Sequence, residues 1–113
     1  MDTLKYIHSP ELREKWADYS IAYQMGNIGS EVSRSLKWAK KGNQHRADTA
    51  IDRALELFDL TIAANVRNSA RLKEVLLARE EFCDYFFGGN SWGTDPVQMQ
   101  KYYDEFAVMQ LGR

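Results

Sequence analysis

PELREKWADYSIAYQMGNIGSEVSRSLKWAKK, residues 10–41, is the stretch on which the fold turns, because it carries three stripes at helical spacing. Leu12, Trp16, Tyr19 and Tyr23 form one. Ile21, Met25, Ile28, Val32, Leu36 and Ala39 form a second on the opposite side. Ala22, Gly26, Gly29 and Ser33 make a third that contains only small residues. Two glycines would ordinarily argue for a break, at about 1 kcal/mol each against alanine in a helix interior. The Ile21-to-Ala39 stripe nevertheless passes through them without a change of phase, and a strip of small residues lets a neighbouring helix come close. The pattern therefore predicts one long first helix, with Gly26 as its one candidate bend, in preference to a helical hairpin. Ser9 before Pro10 is the expected start, a capping side chain followed by proline at the first helical position. Residues 1–8 carry no periodicity and read as an irregular lead-in.

Working outward, Gly42-Asn43 ends that helix and begins the next, which should run from about Gln44 to Ala64. Ala47, Ala50, Ile51, Ala54, Phe58, Thr61 and Ile62 form its inner face, and Asp48, Asp52, Glu56 and Asp59 its outer one. Asn65-Val66-Arg67-Asn68 turns into a third helix over Leu72–Phe87. Its apolar side is drawn by Leu72, Val75, Leu76, Cys83, Phe86 and Phe87, with Phe82 at the margin, and Gly88-Gly89-Asn90 stops it. A loop over residues 88–94 follows. Asp95 and Pro96 then start a last helix with Met99, Tyr102, Tyr103, Phe106 and Met109 inward and Gln98 placed for a capping box.

The chain has 113 residues, 44% of them hydrophobic, which is one domain with a core of its own, residues 1–113. Net charge is −1 with 27% charged residues, so no global field draws it onto nucleic acid or membrane. The single cysteine, Cys83, excludes a disulfide framework and a CxxC motif. No signal core and no bilayer-length apolar run are present, so the expected location is the cytoplasm. Short connections argue for an all-α antiparallel four-helix bundle with a long, bendable first helix. At 1.5 Å per residue a 32-residue helix is about 48 Å long, against about 30 Å for one of 20. The stripe Leu12, Trp16, Tyr19, Tyr23 should then overhang, and these four residues are the expected protein interface.

Three clusters are candidates for chemistry. Arg79 falls inside the apolar stripe of its helix, where a guanidinium needs carboxylates or a wet cleft. The expected partner is Glu31, forming a buried polar pair, with Asp59 second. Arg34, Lys37, Trp38, Lys40, Lys41 and Arg46 concentrate positive charge and an indole at one turn; they either complement a helix dipole or grip phosphates. The row Asp48, Asp52, Glu56, Asp59 lacks the Glu-x-x-His pairs of helical di-metal sites and reads as a solvated face. Trp92 is a loop tip or the cap of a core end. No residue is assigned as catalytic, and neither a cofactor nor a metal is expected.

The segments GNIGSEVSRSLKWAKKGN, RALELFDLTIA and REEFCDYFFGGN resemble a small bacterial family of helical proteins. Residues 27–34, NIGSEVSR, are similar to part of the four-helix-bundle proteins encoded by 23S rRNA intervening sequences. Those are similar in turn to the accessory proteins of diversity-generating retroelements, which oligomerise and bind nucleic acid or a reverse transcriptase. That resemblance implies oligomerisation and partner binding, while the strong basicity of such accessory proteins is missing here. Residues 79–86 also resemble the arginine–histidine motif of HEPN-type helical RNases, in which the two residues surround the scissile phosphate; Asp84 stands where the histidine belongs. The expectation is a non-catalytic helical adaptor or accessory protein that oligomerises or docks a larger protein, including a nucleic-acid-processing one. The alternatives are a HEPN-like RNase or its inactive homologue, and a weak RNA- or DNA-binding accessory protein.

Overall fold

The computed structural model describes residues 6–111, so most of the irregular lead-in expected over residues 1–8 lies outside the described residues. Among the described residues the protein is all-helical, without strands: α1 (Pro10–Lys15), a 3-10 turn (Trp16–Asp18), α2 (Ile21–Lys40), α3 (Gln44–Ala64), α4 (Ser69–Phe87) and α5 (Pro96–Leu111). The long first helix is therefore corrected. It runs unbroken through Gly26 and Gly29 as expected, but it parts from α1 at Trp16–Ser20.

The break has a local cause and a tertiary one. Tyr19 and Ser20 are extended, with ψ of 152° and 159°, and the Ser20 hydroxyl accepts from the Tyr23 N–H at 3.1 Å as the cap of α2. The Gln24 amide donates to the carbonyls of Trp16 and Tyr19 at 2.8 and 3.1 Å, satisfying groups that the break leaves open. What this achieves is the burial of Trp16, only 1% exposed, with its indole N–H donating to Thr61 Oγ1 at 2.9 Å. Burying 150–250 Å² of tryptophan at about 25 cal/mol per Å² stabilises by up to about 4–6 kcal/mol. A continuous helix would add only hydrogen bonds that the caps already supply.

α2 packs against α3 and α5, and α3 against α4 and the 3-10 turn. Met25, Ile28 and Val32 of α2 are fully buried with Ile51, Ala54, Leu57 and Phe58 of α3. The small-residue stripe receives α5. A Cβ on Gly29 would lie 2.5 Å from Tyr103 Cβ, and one on Gly26 would lie 3.5 Å from Ala107 Cα. Gln100 donates to the Gly29 carbonyl at 3.1 Å across the same contact. Only a residue without a side chain allows α5 this close at Gly29.

Two inner faces differ from expectation. α4 buries Val75, Ala78 and Phe82, whereas Leu76 and Phe87 are exposed and Cys83 and Phe86 are half-buried. Phe82, placed at the margin, is the centre: its ring lies 5.5 Å from that of Phe58 and 5.0 Å from that of Phe86. The face is rotated by about one position because α4 carries apolar side chains nearly all round, so tertiary packing chose among them. In α5, Met99 and Tyr103 are buried, but Met109 faces outward at 54% exposure.

Candidate functional site

The expected interface residues lie inside one chain. Trp16 belongs to the core, and Leu12, Tyr19 and Tyr23 pack half-buried around it, with the Tyr19 and Tyr23 rings 4.4 Å apart and the Trp16 and Tyr19 rings edge-to-face at 5.9 Å. The overhang that would have exposed them does not form, because the chain folds back at Ser20. The expected overhang is corrected.

The pairing of Arg79 with Glu31 is corrected as well. Arg79 Nε donates to Asp59 Oδ1 at 3.1 Å, the second of the two candidates, in a pair whose side chains are 35% and 64% exposed. With Phe82 at the centre of the buried face, Arg79 falls at its edge and reaches water. Glu31 is the buried carboxylate instead, at 5% exposure, and its Oε2 takes Arg34 at 3.0 Å and Arg53 at 3.3 Å. Arg53 is the residue the sequence reading missed. It lies on the far helix, and no spacing rule along α2 or α4 points to it.

Asp84, which stands at the position of the RNase histidine, is committed to the loop after α4. It accepts from the Ser91 hydroxyl at 2.5 Å, the Trp92 N–H at 3.0 Å and the Ser91 N–H at 3.2 Å. The Ser91 hydroxyl, then the Trp92 amide, hold its carboxyl below the usual aspartate range, so it stays an acceptor. Left-handed Asn90, φ 54°, continues the loop and clasps Thr94 with both ends of its amide. Neither histidine stands near Arg79 by contact. His8 pairs with Glu56 on α3, whose second oxygen accepts from the Ile7 N–H at 3.0 Å; His45 is exposed in the first turn of α3. Burial raises the Glu56 pKa, but the hydrogen bonds from His8 and Ile7 outweigh it and hold the carboxyl below its ordinary value. A general acid–base pair is thus not assembled around Arg79.

The acidic row is in use as separate contacts. Asp48 accepts from Gln44 at 2.7 Å, Glu56 holds residues 7–8, and Asp59 holds Arg79. No group of three side chains suited to a metal occurs among the described residues.

The basic turn divides into three parts. Lys37 Nζ, Lys41 Nζ and Arg46 Cζ stand 5.0, 5.4 and 4.7 Å from the centroid of the Trp38 ring, so cations already occupy the indole. Arg34 is bound to Glu31. Lys40 belongs to a groove that no single-helix pattern announces. The groove holds about 780 Å³ between the C-terminal half of α2, the end of α4 and the start of α5. Leu36, Ala39, Tyr85, Pro96 and Val97 give it apolar walls. Lys37, Lys40 and Lys101 stand on it with one carboxylate, Asp104. Among the described residues none of these three lysines is in an ion pair. A smaller groove of about 360 Å³ lies between α4 and α5, lined by Leu77, Ala78, Trp92 and Tyr102 with Glu74 and Glu81. Trp92, 52% exposed, therefore forms a rim and does not close a core end.

Compared with known proteins, the chain matches no family model, no curated protein and no solved structure. No described helix is long and apolar enough to cross a membrane.

Proposed function

We propose that this is a non-catalytic helical accessory protein of the cytoplasm, built on a four-helix bundle of α2–α5, that works by docking another protein on the face between α2 and α5. The observation that carries this reading is the apolar groove with Lys37, Lys40 and Lys101 and one carboxylate, Asp104, on it. An apolar floor with a positive rim suits an amphipathic helix whose anchors sit three and four residues apart and whose flanks are acidic. The lysines then steer the encounter, and the floor supplies most of the affinity. The retroelement-accessory resemblance agrees with a docking role. The HEPN-like RNase reading receives no support from the site, since Arg79 is paired at the surface and Asp84 is tied into a loop. Nucleic-acid binding remains the second reading, favoured by the three cations gathered on Trp38.

The test is selection of displayed helical peptides on the folded protein, followed by affinity measurement against the Lys37→Glu/Lys40→Glu variant. Acidic amphipathic winners that weaken about tenfold or more on charge reversal are expected. Absence of enrichment, or binding indifferent to the reversal, overturns the docking reading. RNA binding that falls steeply with salt and is lost with Lys41→Glu/Arg46→Glu would move the function to the second reading.

A further inference from the structure

The side of α5 that faces away from the core is not uniformly polar. Val97 and Val108 are 64% and 66% exposed, Leu111 is 83% exposed, and Lys101 and Asp104 are exposed between the valines. At 100° per residue these five positions fall within about 80° of one another, centred about 140° from the mean direction of buried Met99 and Tyr103. Their spacing is 4, 3, 4, 3, that of the seam of a coiled coil. None of the five is buried in the core; Asp104 accepts from the Gln100 amide at 2.9 Å and keeps its other carboxylate oxygen outward, while the two valines and the leucine stand in line on a solvated face.

The order of residues along the seam specifies a partner. From Val97 to Val108 the pattern reads Val, Lys, Asp, Val at intervals of 4, 3 and 4, which is the same length read from either end. An antiparallel copy centred between Tyr102 and Tyr103 sets each Val97 against a Val108. It sets each Lys101 against an Asp104, twice by symmetry. A parallel copy would set Lys101 against Lys101 and Asp104 against Asp104, and an antiparallel copy centred on Asp104 would bring two carboxylates together. Both are disfavoured by like charge. Self-complementarity in one register and repulsion in the others is what a specific homodimer requires.

We infer that α5 is a homodimerisation helix, pairing antiparallel with the α5 of a second copy through Val97, Lys101, Asp104 and Val108. The inference deepens the docking reading and rests on it, because Val97, Lys101 and Asp104 also border the groove. It names the occupant of the α5 side as this same chain. The contact is short, about 17 Å from Val97 to Val108 and about 10 Å wide. It is therefore well below the roughly 800 Å² per partner of a standard interface, and the dimer should be weak and reversible.

Charge exchange tests it. Sedimentation of the full chain up to about 0.5 mM, a range set by the small interface, should show a monomer–dimer equilibrium. Asp104→Lys alone and Lys101→Asp alone should each weaken it by about tenfold or more, since each juxtaposes like charges. Mixing the two variants should restore association as a heterodimer, because every facing pair is then opposite in sign. Restoration cannot come from misfolded chains, so the mixing arm separates a lost contact from a lost fold. The Lys37→Glu/Lys40→Glu variant should dimerise normally while losing acidic peptides, so the two readings fail separately. A monomer at every concentration, or single variants that associate like the wild type, would overturn the dimer and leave peptide docking standing.

Discussion

Replacing Gly29 by alanine should destabilise the protein, while the same change one turn earlier at Gly26 should stabilise it. Both glycines lie inside α2, so both substitutions gain about 0.5–1 kcal/mol from helix propensity and a less flexible unfolded chain. Space decides the rest. At Gly26 the new methyl would meet Ala107 Cα at 3.5 Å, an ordinary van der Waals contact. At Gly29 it would meet Tyr103 Cβ at 2.5 Å and Tyr103 Cα at 3.6 Å, so α5 must retreat by about 1 Å to reach a normal carbon–carbon separation. The obstacle is attached directly to the α5 backbone, and Tyr103 is 1% exposed, so no rotamer change clears it. Overpacking of this kind costs about 1–3 kcal/mol, and the rigid obstacle argues for the upper part of that range. The net expectation is a loss of about 1–2 kcal/mol for Gly29→Ala and a gain of about 0.5–1 kcal/mol for Gly26→Ala. Thermal unfolding followed by circular dichroism should separate the two midpoints by roughly 10 °C, at about 4 °C per kcal/mol for a domain of this size. Equal midpoints for the two variants would refute the close approach of α5 to Gly29.

Three further outcomes follow from contacts already described. Arg79→Ala should cost less than about 1 kcal/mol, because its pair with Asp59 is largely exposed; a loss several times larger in urea titration would return Arg79 to a buried role. Trp16→Ala should cost about 3–5 kcal/mol and Trp16→Phe less, and a sedimentation change without a stability change would instead place Trp16 at an interface. The Glu56 carboxyl lies below its ordinary value of 4.5 in the folded protein, so its hold on residues 7–8 is present above that pH and lost as pH falls through the lowered value. Hydrogen-exchange protection of the Ile7 and His8 amides, taken relative to their intrinsic rate at each pH, should therefore fall in acid, and in Glu56→Gln at neutral pH; protection unchanged by both would sink the latch.

Local chemistry made much of the architecture legible. The Ser9-Pro10 start, the Asn43 cap of α3, the bounds Gln44–Ala64 and the Asp95-Pro96 start of α5 rest on side chains that hydrogen-bond their own neighbours. The face of α3 was readable because its polar and apolar residues separate cleanly. The small stripe of α2 announced a close helix, although not which one. Where an element offered more than one consistent choice, only the tertiary structure could choose. α4 carries Leu76, Leu77 and Phe87 outward and Phe82 inward, since Phe58 of α3 is there to receive Phe82. The break at Ser20 depends on Thr61, forty-five residues past Trp16, accepting the indole N–H. Glu31 went to Arg53 because α2 and α3 lie side by side, and Arg79 went to Asp59 because the rotation of α4 carried it to the edge. Sequence determined that these segments are helical and where α3 and α5 begin, because capping and periodicity act within a turn or two, but not the break at Ser20. Which faces meet, and so which groove stands open between α2 and α5, was decided by packing among residues far apart in the chain.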